Sequence, residues 1–117
     1  MTPDFDSIIN SAAEKYKKLL ISQLERNEKI KAEGDFIDYT KLDKLVIGIC
    51  GGDGIGPIIS KAAGDVLEFL LAEEIKEGKI ELRYIEGLTI ENRVAHNQAI
   101  PDDVMEELYK CPVILKG

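Results

Sequence analysis

The chain is poor in the residues that mark a cross-linked or metal-held fold. It has two cysteines, Cys50 and Cys111, and one histidine, His96, in 117 residues. The cysteines stand far apart, each at the edge of an apolar run, and are read as reduced, buried thiols, not as a disulfide framework or a metal knuckle. No cluster of His, Cys or carboxylate has the spacing of metal ligands. His96 lies between Ala95 and Asn97 and is read as a surface residue, and no Ser/His/Asp or Cys/His arrangement can be assembled. Long apolar runs are missing as well. None approaches the ~20 residues of a membrane-spanning helix, and Thr2 to Ser7 carry acid with no apolar stretch of the kind found in a secretory signal. A cytoplasmic protein that does not act at membranes is expected. Fifteen Lys and Arg face 22 Asp and Glu, a net charge of -7. That balance argues against nucleic acid as a partner, because phosphate binding needs clustered cations. No repeat or low-complexity segment is present.

What is present is an ordinary globular composition, 44% hydrophobic and 32% charged, in a chain the size of one modest domain. Residues 1–34 carry one long helical pattern. Thr2 suits the N-cap, Pro3 the first helical position, and Asp4 and Asp6 the positive end of the helix dipole. Ile8, Ile9, Ala12, Ala13, Tyr16, Leu19, Leu20, Leu24 and Ile30 recur on a single stripe. Gly34 suits the stop. The stripe needs a cover, which is either the chain's own body or a partner.

A polar connector, 35–43, leads to the body, 44–117. Lys44–Cys50 is a nearly continuous apolar strand, as in a parallel sheet buried on both faces. A glycine-rich turn, Gly51 to Gly56, follows. Pro57 opens a helix that is expected to run to about Lys76 and to bury a broad face of Ile58, Ile59, Ala62, Ala63, Val66, Leu67, Phe69, Leu70 and Leu71. A strand is predicted over Lys79–Ile85, helices over Thr89–Ala99 and Pro101–Lys110, and a third strand over Pro112–Lys116. Strands alternating with helices imply right-handed crossovers. The fold class is α/β: a three-stranded, mainly parallel sheet with flanking helices, preceded by a long added helix.

The turn Gly51-Gly52-Asp53-Gly54-Ile55-Gly56-Pro57 is the most informative segment. Open α/β sheets bind ligands where a strand's carboxyl end turns into a helix, and amides at a helix start favour anions. The physics points to a carboxylate or phosphate near this turn. A tight turn can also use glycine without binding anything. The dinucleotide fingerprint fails, because the third glycine would fall at Pro57, and the phosphate loop ending Gly-Lys-Ser/Thr is absent.

The run Gly52-Asp53-Gly54-Ile55-Gly56-Pro57 after a first apolar strand resembles the amino-terminal signature of the isocitrate/isopropylmalate dehydrogenases. Gly87-Leu88-Thr89-Ile90-Glu91-Asn92-Arg93 and Ala99-Ile100-Pro101-Asp102-Asp103-Val104 resemble the stretch before that family's third strand. Val113-Ile114-Leu115-Lys116-Gly117 resembles the strand leading into its Lys-Gly-Pro segment. The similarity runs from about Lys44 to Gly117. Many members carry Glu where this chain has Ile58.

The resemblance implies a partial dehydrogenase-like fold and an oxidative decarboxylase of a 2-hydroxy acid. Isocitrate is slightly preferred over 3-isopropylmalate, which would place the reaction in the tricarboxylic acid cycle. It implies NAD or NADP and Mg2+ or Mn2+ as cofactors, and a homo-oligomer. It places Asp53, Gly54, Ile55, Gly56 and Lys116 beside substrate or cofactor. The family's catalytic and metal-binding residues and its substrate arginines match no position here, so a fragment inactive on its own is expected.

Several residues keep two readings. Asp53 either orients backbone or a ligand-bearing side chain, or simply favours a turn. Lys116 either pairs with a substrate carboxylate or is an exposed strand-end lysine. Glu91 and Asn92 line the cleft or sit on a helix surface, and Asp102 and Asp103 complement a helix start. Two other functions stand beside the enzyme: a non-catalytic module acting through its first helix, and a small flavodoxin-like anion-binding domain, for which two further strands would be wanted. An isolated piece of this kind is expected to self-associate through exposed apolar surface.

Overall fold

The computed structural model describes residues 3–34 and 36–117. It comprises two compact units, Met1–Phe36 and Ile37–Gly117.

The first unit is one helix, α1 (Phe5–Glu33). Its N-cap is Asp4, whose carboxylate accepts from the Ser7 amide at 3.1 Å. Pro3 therefore precedes the cap and does not open the helix. The expected cap, Thr2, lies outside the described residues, as does Asp35 of the connector. A carboxylate one residue before the helix satisfies an orphan amide and complements the dipole together. Gly34, at φ +75°, ends the helix. A single helix has no means of burying its own apolar stripe.

The second unit opens with a 3₁₀ turn, Tyr39–Lys41, where the Asp38 carboxylate accepts from the Thr40 amide and hydroxyl. The Tyr39 hydroxyl donates to the Pro112 carbonyl at 3.3 Å. Then follow β1 (Leu45–Cys50), α2 (Gly56–Leu70), α3 (Ala72–Lys76), β2 (Ile80–Tyr84), α4 (Ile90–His96), α5 (Asp102–Tyr109) and β3 (Val113–Lys116). The single long helix expected to reach Lys76 is thus two. Leu71, at φ -108° and ψ 20°, leaves helical geometry between them.

The sheet has the order β2-β1-β3 and is parallel throughout. In β1, Ile47 pairs with Leu82 on one side and Val113 on the other. Flanked on both edges and covered on both faces, β1 is buried from Ile47 to Cys50, which is why its sequence is almost uniformly apolar. One face lies under α2, with Ile49 against Gly64. On the other face Cys50, Ile85, Val104 and Cys111 form the core, with Val46, Leu88, Ile100 and Leu108 packed against it. Both thiols are free and buried, and burial pushes each above its ordinary pKa.

The helix α2 departs from the expected packing. Its buried residues are Gly56, Ser60 and Gly64, with Ala63 and Leu67 half-buried. Ile58, Ile59, Val66, Phe69 and Leu70 are exposed. Small residues let the helix backbone approach the sheet closely, and a Cβ on Gly64 would overlap the Tyr84 hydroxyl. The large side chains are therefore turned off the sheet. The buried Ser60 hydroxyl is satisfied within the helix by the Gly56 carbonyl at 2.7 Å.

Two outcomes follow. Gly64→Val would force α2 away from Tyr84 and lower stability by about 1–3 kcal/mol, read as a shift of the urea midpoint; an unchanged midpoint would contradict the close approach. The second concerns Glu81, which pairs with Lys44 at 2.7 Å and with Arg83 at 3.1 Å. The Lys44 hydrogen bond first, then that of Arg83, holds its carboxyl below the ordinary 4.5. Its stabilisation is complete above that ordinary value and is lost as pH falls through the lower native one. Glu81→Gln should therefore narrow the stability difference between pH 7 and pH 3, measured by urea unfolding at each pH.

Candidate functional site

The topology selects one crevice. From β1 the chain crosses through α2 and α3 to β2 at one edge. From β2 it passes back through α4 and α5 to β3 on the opposite side of β1. Connections diverge from the middle strand, so the carboxyl ends of β1 and β3 open onto a crevice of the kind in which α/β sheets hold ligands. Cys50 and Lys116 are register partners at that end, and the Gly117 amide donates to the Cys50 carbonyl at 2.7 Å.

The turn after β1 is built by contacts that admit no side chain. A Cβ on Gly56 would overlap the Gly51 carbonyl, and the Gly56 amide donates to the Asp53 carbonyl at 3.1 Å. Gly52, at φ +68°, lies beneath Lys116, whose Nζ would be 2.6 Å from a Cβ there. Gly52 thus meets both demands that favour glycine, a left-handed backbone and a close neighbour. The same Nζ donates to the Gly117 carbonyl at 2.7 Å. Gly54 and Ile55 face outward; Ile55 is exposed and supplies no side-chain cap to α2. The first amides of α2 are left without a side-chain acceptor from the N-cap.

Asp53 has a definite partner. Its Oδ2 accepts from the Ile90 amide at 2.9 Å, at the first residue of α4. Thr89 caps the same helix through the Asn92 amide at 3.3 Å, and the Asn92 side chain donates to the Gly87 carbonyl at 2.9 Å. The Gly87–Arg93 segment is thereby fastened to the glycine turn. Asp53 thus holds the backbone at the start of α4. Glu91 is exposed, and His96 is exposed with Nδ1 2.8 Å from the Asn92 carbonyl.

Asp53 and Lys116 meet in a cavity of about 510 Å³, together with Cys50, Leu88, Arg93 and Ile100. Arg93, the last residue of the Gly87–Arg93 motif, joins them there without being an expected site residue. Its Nε donates to the Ala99 carbonyl at 2.7 Å, which carries the guanidinium to the cavity edge. The signal in the sequence was its place four residues after Thr89, one turn into α4. Two cations against one acid make this cavity locally positive in a chain of net charge -7. A second cavity, about 440 Å³, opens on the other side of the turn and holds Lys61 among Asp65, Glu68 and Glu86. Its acid balance disfavours an anion, so the turn has one side suited to a carboxylate or phosphate. Lys116 also opposes, by its charge, part of the rise that burial imposes on the Cys50 thiol.

Among the described residues, no three of His, Cys, Asp and Glu are grouped to hold a metal ion. Among the described residues, no helix is long and apolar enough to cross a membrane. Asp53→Ala should expose the Ile90 amide to faster hydrogen exchange and cost about 1 kcal/mol, the scale of a lost helix cap; unchanged exchange at Ile90 would remove Asp53 from the support of α4. Compared with known proteins, the chain matches no protein-family model, no curated protein and no solved structure.

Proposed function

We propose that this chain is the anion-facing, amino-terminal portion of a cytoplasmic NAD- or NADP-dependent oxidative decarboxylase of a hydroxy di- or tricarboxylic acid, with isocitrate ahead of 3-isopropylmalate. The observation that carries the reading is the meeting of Lys116 with the glycine turn. The residues of two separate motifs resembling that dehydrogenase family share one locally positive cavity at the β1/β3 end of a parallel sheet. The partial dehydrogenase-like fold belongs to the same proposal.

In this reading Lys116 and Arg93 attract and orient a carboxylate beside the glycine turn at Asp53, and Leu88 and Ile100 keep water from its carbon skeleton. Charge-assisted hydrogen bonds of that kind are short and about twice as strong as neutral ones. The nicotinamide cofactor supplies the hydride acceptor when bound. The described residues do not provide the donor set of Mg2+ or Mn2+, which prefer several oxygen ligands. No chemical step is therefore assigned to a metal held by this chain. The residues named here bind and orient; proton and hydride transfer are assigned to none of them, and the chain alone is proposed to be inactive. The complete enzyme is proposed to be a homo-oligomer.

The test has two arms. Titration of the chain with isocitrate, followed by amide resonances, should shift Gly51 to Gly54 and Gly117, and Lys116→Ala should weaken binding roughly 10-fold or more. Shifts elsewhere alone would move the site. The native polypeptide carrying this sequence, isolated from its source, should reduce NAD or NADP with isocitrate and Mg2+; binding without reduction would leave an anion module and remove the dehydrogenase.

A further inference from the structure

The cavity that holds Lys116 also holds a charge of the opposite sign. Lys116 Nζ lies over Gly52, 2.6 Å from where a Cβ there would stand, and the next residue along the chain is Asp53, which lines the same cavity. Arg93 stands at the edge; a guanidinium has five N–H donors, and the bond to the Ala99 carbonyl uses one of them. In a site for a bare carboxylate or phosphate, Asp53 would be a fault, because a negative charge repels the anion that the two cations attract. Its bond to the Ile90 amide, at 2.9 Å, does not need that charge, since Asn and Ser satisfy a helix-start amide as well as Asp does. Nor does α4 rest on Asp53 alone, because Thr89 accepts from the Asn92 amide at 3.3 Å. The Ile90 amide takes one of the roughly four acceptor positions of a carboxylate.

We infer that Asp53 accepts the hydroxyl of a 2-hydroxy acid whose carboxylate is held by Lys116 and Arg93. The assignment rests on the reading of this cavity as a hydroxy-acid site, and it names the residue that separates such an acid from its deoxy counterpart. A 2-hydroxy acid carries a hydrogen-bond donor on the carbon next to its carboxylate. It therefore needs a cation and an acceptor side by side. Residues 52 and 53 supply that adjacency, with the Lys116 ammonium over the first and the carboxylate on the second. A hydrogen bond to an ionised acceptor is about twice as strong as a neutral one. An acid without the hydroxyl brings charge alone and meets Asp53 only as repulsion. A 2-amino acid also has a donor beside its carboxylate, but its ammonium cancels that carboxylate's charge. Two cations against one acid favour a ligand that is net negative.

The test is titration of the full chain with isocitrate and with tricarballylate, the same tricarboxylate without the hydroxyl, followed by amide resonances. The parent should bind isocitrate roughly 10-fold more tightly. Asp53→Asn keeps an oxygen for the Ile90 amide and loses the charge and the second acceptor oxygen. It should bring the two affinities within about 2-fold of each other, with hydrogen exchange at Ile90 unchanged. Asp53→Ser, a second uncharged cap, should do the same and serves where Asn disturbs α4. Lys116→Ala should weaken both acids and leave their ratio. Equal binding of the two acids by the parent, or a preference that survives in a variant whose Ile90 amide stays protected, would overturn the inference and leave the anion site standing. Binding of neither acid by the parent would remove the anion site itself, and the inference with it.

Discussion

The carbonyl of Gly51 occupies the space where a side chain on Gly56 would begin. That single close approach sets the angle at which the chain leaves β1, and much else depends on it. It brings the start of α2 down onto the strand end, so that small residues, and not large ones, contact the sheet. It fixes Gly52 beneath Lys116 and turns the Asp53 carboxylate toward the Ile90 amide. The cavity, the placement of α4 and the outward set of the α2 isoleucines are all downstream of this contact. No residue but glycine satisfies it, which gives Gly56 a steric reason independent of any ligand.

Much of this was legible in the chain. The apolar run of β1, the punctuation by Gly78 and Gly87, and the acid-started helix at Asp102 placed the elements in order, because burial on two faces and turn geometry leave strong local traces. The cavity-forming pair Asp53 and Lys116 was visible as motif residues. Other features left no such trace. Which face of α2 meets the sheet depends on distance between backbones, and periodicity counts apolar residues without weighing their size. The rule that apolar means buried therefore assigned Ile58, Val66 and Phe69 to the wrong side. The helix break at Leu71 has no glycine or proline to announce it. Nothing in the pattern marks Arg93, because its place at the cavity edge comes from the Ala99 carbonyl, set by a loop whose path the sequence pattern does not encode. At the amino end Asp4, read as an acid of the first turn, is itself the cap, a difference of register that the pattern does not encode.

The electrostatics of the second unit are arranged locally against the global charge. The chain is acidic overall, yet the β1/β3 crevice collects Lys116 and Arg93, while Asp65, Glu68 and Glu86 gather on the opposite side of the glycine turn. An anion approaching from solvent meets a field that changes sign across a few residues. Such a contrast orients a small charged molecule even where the net charge would repel it.

The position of β1 between its two neighbours bears on how the chain is made. Its partners are far from it in sequence, and Val113 lies far downstream of Ile47, with which it pairs. As the polypeptide emerges from the ribosome, β1 and β2 are available to join well before β3 exists. During that interval one edge of a strongly apolar strand stays open, and an open edge is a template for any other extended chain nearby. Non-local parallel pairing is also slow. The same two-sided pairing that gives the folded sheet its middle strand thus makes its synthesis a period of exposure, in which molecular chaperones would find their substrate.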